Sequence, residues 1–125
     1  MRILALNWRD LDSPWAGGAE VQLQAVAERL VARGHRVRLL ASRFPGCTAT
    51  GERAGVEVRR HGTWWNANLA LAAAARRELA AGSWDVVLED VNKIPFFTPL
   101  FARVPVVVLV PHLFGPTIYR ETNPL

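Results

Sequence analysis

The chain predicts an α/β domain built on a doubly wound parallel sheet, and three observations point there. Strand-like runs at 2–7, 36–42, 85–90 and 105–110 are apolar with little alternation, so both of their faces must be covered. Two runs with helical spacing, 21–32 and 69–81, fall between them. Right-handed crossovers between parallel strands then lay those helices on opposite faces of the sheet.

Taken in order, residues 2–7 form a buried strand that ends at polar Asn7. A loop containing Gly17-Gly18 follows. Val21, Leu23, Val26, Ala27, Leu30 and Val31 then recur at helical spacing, with Gly34 at the expected left-handed cap. Residues 36–42 form the second strand, and 43–54 read as a loop punctuated by Pro45, Gly46 and Gly51. Val56 and Val58 alternate with Glu57 and Arg59, which predicts a short strand nearer the sheet edge. Gly62 to Asn66 is a turn. The Ala- and Leu-rich run 69–81 is a helix ending at Gly82, with Arg76, Arg77 and Glu78 on one side. Strand 85–90 comes next, then a short helix or turn at 95–103 and an apolar strand at 105–110 that delivers His112. A further helix starts around Thr117.

A sheet of this kind holds its ligand at the C-terminal ends of the strands, where the winding direction reverses. If the first strand is central, with the second on one side and the fourth on the other, Asn7, Gly17-Gly18 and Glu89-Asp90 flank that crevice, and His112 lies one strand further along. The glycine pair has two readings. It starts a helix, or it leaves unpaired first-turn N–H groups open to an anion, helped by the positive end of the helix dipole. Glu89 and Asp90 either hold sugar hydroxyls or are solvated rim charges, and Asn92 and Lys93 share that ambiguity. His112 is either a satisfied residue at the sheet rim or an imidazole working in the crevice near neutral pH. Trp8, Trp64 and Trp65 could stack on a ligand, although tryptophan is more often buried in a core; core packing is also the expectation for Phe96, Phe97, Leu100 and Phe101.

Composition narrows the choices. The 125 residues make one domain, 1–125, half of it hydrophobic and 21% charged, which is too apolar for a disordered chain. The net charge of +4 comes from scattered arginines such as Arg59-Arg60 and Arg76-Arg77. No basic block of nucleic-acid type is present; a solvated surface is the first explanation and attraction to an anionic membrane or phosphorylated substrate the second. Cys47 is alone, which suits a reducing cytoplasm. The N-terminus has too short an apolar stretch for a signal peptide, and no run reaches the roughly 20 apolar residues of a spanning helix. His35, His61 and His112 lack zinc-type spacing, so no metal and no other cofactor is expected. The dinucleotide fingerprint is missing too, with Ser42 where a ribose-binding acid would end the second strand, and there is no Gly-Lys-Ser/Thr of a P-loop.

Across essentially its whole length the chain resembles the amino-terminal part of family-four retaining glycosyltransferases of the GT-B type. The resemblance is carried by ALNWRDLDSPWAGGAEVQLQAVAERLVARGHRVRLLAS, DVVLEDVNKIPFF and VPVVVLVPHLFG, and most recognisably by Gly-Gly-Ala-Glu at 17–20 and Arg-Gly-His-x-Val at 33–37. It implies one of two facing Rossmann-like domains, the one that mainly binds the acceptor. The other would hold a nucleotide-sugar donor, with catalysis in the cleft between. By position, Gly17 and Gly18 match the glycine loop near the donor phosphates or acceptor, and His112 matches the histidine lining the reaction centre. Glu89 and Asp90 stand where many members place a histidine or another polar residue.

The family's carboxy-terminal glutamate pair has no counterpart here, so the expectation is a fragment or one half of a split enzyme. Such a chain alone would be inactive, because half a cleft cannot enclose the donor. Later strands would also be missing, leaving an apolar edge open to self-association. The expected function is transfer of a sugar to a glycan, glycolipid or small-molecule acceptor, in the cytoplasm or at the inner face of the membrane. The competing expectations are a non-catalytic interaction subunit and another nucleotide-binding α/β protein such as a reductase.

Overall fold

The computed structural model describes residues 1–91 and 94–111. Within them the chain runs β1 (Arg2–Leu6), α1 (Gly18–Ala32), β2 (Arg36–Ala41), β3 (Thr50–Arg53), β4 (Val56–Arg60), α2 (Ala67–Ala81), β5 (Val86–Asp90), a single 3-10 turn (Thr98–Leu100) and β6 (Val106–Leu109). The strands form one sheet in the order β3-β4-β2-β1-β5-β6. All pairings are parallel except β3 with β4. β1 is central, with β2 on one side and β5 on the other, so the winding direction reverses beside it.

The lack of alternation in the strands has its predicted consequence. Successive side chains of a strand point to opposite faces. Ile3 and Ala5 pack with Leu23 and Ala27 of α1, while Leu4 and Leu6 pack with Leu71, Ala74 and Ala75 of α2. Both faces are therefore dry, and the domain is a three-layer α/β/α arrangement. Trp84, just before β5, is the buried tryptophan of the second layer.

The segment expected to be loop at 43–54 contains a strand. β3 pairs antiparallel with β4 through a turn whose central residues, Ala54 (φ 48°) and Gly55 (φ 82°), are both left-handed. That is the type I′ signature, whose twist matches a two-residue hairpin. β3 has no buried face of its own, so no hydrophobic pattern announced it. It exists because β4 offers it a ladder. β4 is consequently second from the edge, near it as the alternation at 56–59 predicts.

Candidate functional site

Register brings the C-terminal ends of three strands level. Leu6 lies beside both Leu40 and Glu89, so Asn7 and Asp90 emerge on one rim, next to the start of α1. The β1–α1 loop over this rim is tied down at many points. Asp10 accepts from Arg60 Nε at 2.7 Å and Nη2 at 3.0 Å, and both residues are almost fully buried. Asp10 Oδ1 also takes the Asp12 N–H at 2.9 Å, closing an Asx turn. Arg53 reaches Asp12 at 2.6 Å, Arg9 donates to the Trp15 carbonyl at 3.0 Å, and the Ser42 hydroxyl donates to the Trp8 carbonyl. The long loop is thus a fixed ledge.

It delivers Gly17 and Gly18 to the first turn of α1. Gly17 is the N-cap in extended conformation (φ −133°), and its N–H donates to Glu20 Oε2 at 2.7 Å. The helical ladder begins with the Val21 N–H on the Gly17 carbonyl. The N–H groups of Gly18, Ala19 and Glu20 are the open donors between. Neither glycine has a positive φ, and a Cβ on Gly18 would meet nothing within 4 Å. The fold's own packing does not require glycine at 18; the missing Cβ leaves bare backbone facing open space.

Glu20 is buried, with Oε1 within 3.5 Å of the Asn7 amide nitrogen. Asp90 is 3% exposed, its Oδ1 has no partner, and it lines a cavity of about 80 Å³ with Gln22, Leu23, Leu109, Val110 and Pro111. Burial first and the nearby Glu20 carboxylate second push the Asp90 carboxyl up to about 6. Asn7, Glu20 and Asp90 therefore form a buried polar group at the helix start, able to accept from hydroxyls and, through Asp90, to donate once protonated.

Glu89 does something else. It is 1% exposed, and its carboxylate accepts from the Phe96 N–H at 2.5 Å and from the Thr98 hydroxyl. It is neither a solvated rim charge nor turned to the crevice; both oxygens are occupied in fixing the segment after β5. Strand alternation explains the split, since neighbouring residues of β5 face opposite layers. Asn92, Lys93, His112 and the helix start around Thr117 lie outside the described residues.

The tryptophans also depart from expectation. Trp64 and Trp65, in the connection after β4, are 77% and 72% exposed, and of the two phenylalanines at 96–97 only Phe96 is buried. Trp8 is half-buried and donates its Nε1–H to Asn68 Oδ1 at 2.7 Å. His61, at the end of β4, has its imidazole held below the ordinary range by burial and by Arg77. Sequence reasoning missed Glu20, although its spacing from Gly17 is that of a capping pair. It also missed Asp10–Arg60 and Asn68, for which no local signal exists.

Among the described residues no group of three or more His, Cys, Asp or Glu is placed to hold a metal ion. No helix there is long and apolar enough to cross a membrane.

A parallel α/β sheet with a fixed loop, a bare helix start and buried polar groups at its switch point defines a crevice-binding domain of the Rossmann-like class. The family model described as Glycosyltransferase Family 4 matches residues 16–123, and the chain belongs to that family as an amino-terminal domain. No curated protein gave a match.

Proposed function

We propose that this domain is the acceptor-side half of a retaining GT-B glycosyltransferase. It moves a sugar from a nucleotide-sugar donor to a glycan, glycolipid or small-molecule acceptor, and works with a second, donor-binding domain or partner chain. The observation that carries this reading is the bare Gly18 backbone beside the buried Asn7, Glu20 and Asp90. A free anion at the start of α1 would compete with the Glu20 carboxylate, which already caps Gly17 and opposes the dipole's positive end. A ligand rich in hydroxyls suits such a site better than an isolated phosphate. In this scheme donor phosphates approach the Gly18 and Ala19 N–H groups only when the facing domain supplies compensating cations. Ser42, turned to the Trp8 carbonyl, stands where a dinucleotide-binding protein needs an acid, which weighs against a reductase.

From the resemblance, His112 is assigned to the reaction centre, with Gly17, Gly18, Asp90 and Asn92 lining the substrate. Glu89 acts by holding the segment beside them. The test is a panel of nucleotide-sugar donors and acceptors run on the full-length protein, with His112→Ala beside it. Turnover that collapses in the variant supports the assignment. Unchanged turnover removes His112, and no turnover with any donor favours the non-catalytic subunit. Turnover by the 125-residue chain alone at ordinary enzyme rates would sink the requirement for a second half.

A further inference from the structure

Two buried carboxylates at the crevice rim have no cation. Among the described residues Asp10, Asp12, Glu57 and Glu78 each hold an arginine within 3.4 Å. Glu20 and Asp90 hold none, although both are almost fully enclosed. Glu20 is served by neutral donors, the Gly17 N–H at 2.7 Å and the Asn7 amide at 3.5 Å. Asp90 is served less well, since its Oδ1 has no partner. A carboxylate shut away from water without a counter-ion is costly to hold. Asparagine at 90 would keep the shape and shed the charge, so the acid stands at the fold's expense.

Strand alternation turns Asp90 to the same face as Val86 and Leu88, toward α1. The cavity beside it, about 80 Å³, is walled by Leu23 of α1 and by Leu109, Val110 and Pro111 at the end of β6, with the exposed Gln22 beside them. That is room for roughly three waters, or for one ammonium and the carbon that bears it. The groups facing Asp90 do not neutralise it. Glu20 approaches from α1 and adds like charge, Asn7 follows β1, and β6 supplies apolar side chains. Arg9 and Arg60, the nearest basic residues of the ledge, are turned to the Trp15 carbonyl and to Asp10. A metal ion would want more oxygen ligands than this pair offers. A neutral hydroxyl would hydrogen-bond the carboxylate and leave its charge uncompensated.

We propose that the cavity beside Asp90 receives the ammonium group of an amine-bearing acceptor, an amino sugar in the simplest case. The inference rests on the acceptor-side reading and narrows it. Asp90 Oδ1 takes one ammonium N–H in a charge-assisted bond, the Gln22 side-chain carbonyl offers a second acceptor, and neighbouring hydroxyls fall to Asn7 and Glu20. Bound ammonium favours the ionised carboxyl, which burial and Glu20 otherwise oppose. Affinity for the amine therefore falls as pH drops through about 6, while affinity for a plain sugar does not.

The test is carbon NMR of the full-length protein labelled at its aspartate carboxyls, with Asp90→Asn identifying the Asp90 signal. Glucosamine and methylammonium chloride should carry the Asp90 titration from about 6 to about 5 or lower, whereas glucose and sodium chloride should leave it in place. By calorimetry, Asp90→Asn should bind glucosamine about tenfold more weakly and lose its preference over glucose. Glucose acting as glucosamine does would overturn the proposal in favour of a hydroxyl site, with glycosyl transfer left standing. No effect of either amine would overturn it too. So would an Asp90 that already titrates low in the ligand-free full-length protein, its cation then coming from the second half. Failure of the glycosyl-transfer reading shows separately, as absence of turnover across the donor panel.

Discussion

Asp10 and Arg60 stand fifty positions apart, and each is buried to within a few per cent of completeness by the other and by the loop they anchor. Arg60 leaves the end of β4, crosses the rim and grips Asp10 bidentately, while its Nη1 also reaches the Thr48 carbonyl at 3.1 Å. The pair converts a long, proline-containing loop into the fixed ledge on which the glycine pair rests.

Removing one partner strands a buried charge. Asp10→Ala should therefore lose about 3–5 kcal/mol of stability, whereas Asp10→Ala with Arg60→Met should recover much of it. Urea unfolding of the three proteins checks this, and equal losses in single and double variants would deny the coupling.

Asp90 makes stability depend on pH in an unusual direction. Its carboxyl is raised in the fold from 3.8 to about 6, so the native state holds the proton more tightly than the unfolded chain. Its burial costs nothing below the unfolded value and most above pH 6, so its contribution falls as pH rises through that window. Asp90→Asn should be up to about 3 kcal/mol more stable than the parent near pH 7.5 and indistinguishable from it near pH 3. A difference that does not vary with pH would contradict the shift.

Gly18→Ala separates fold from function. With open space around the added methyl and no positive φ to satisfy, stability should stay equal or rise by about 0.5–1 kcal/mol, through helix propensity and a less flexible unfolded chain. Nucleotide-sugar or acceptor binding by the full-length protein should weaken at least tenfold. Titration calorimetry alongside thermal melts reads both, and undiminished binding would return the glycine pair to a plain helix start.

Glu89→Ala leaves the Phe96 N–H without its acceptor, at about 1–3 kcal/mol. Hydrogen exchange at that amide should accelerate much more than at the amides of β1. Uniform acceleration would mean that Glu89 supports the whole fold rather than its own segment.

The β3–β4 turn offers a gain. Ala54 is left-handed beside Gly55, and asparagine tolerates that conformation better than alanine. Ala54→Asn should stabilise by roughly 0.5–1 kcal/mol, visible as a higher denaturation midpoint.

The chain alone determined the order of its main elements, the parallel sheet and the arrival of Gly17-Gly18 at a helix start. Those follow from continuous apolar runs and helical periodicity, which are local and survive without knowledge of the neighbours. Tertiary structure decided the rest. The central place of β1, and so the switch-point rim, was settled by the strand order of the folded sheet. Only register could show that Asp90 and Glu89, adjacent in sequence, part company, one toward the crevice and the other under Phe96 and Thr98. Only the completed layers could show that Trp84 fills the core while Trp64 and Trp65 stay outside, because a tryptophan's burial depends on what packs over it. β3 and the Asp10–Arg60 pair were illegible for the same reason: each exists only through a partner brought close by the folded sheet.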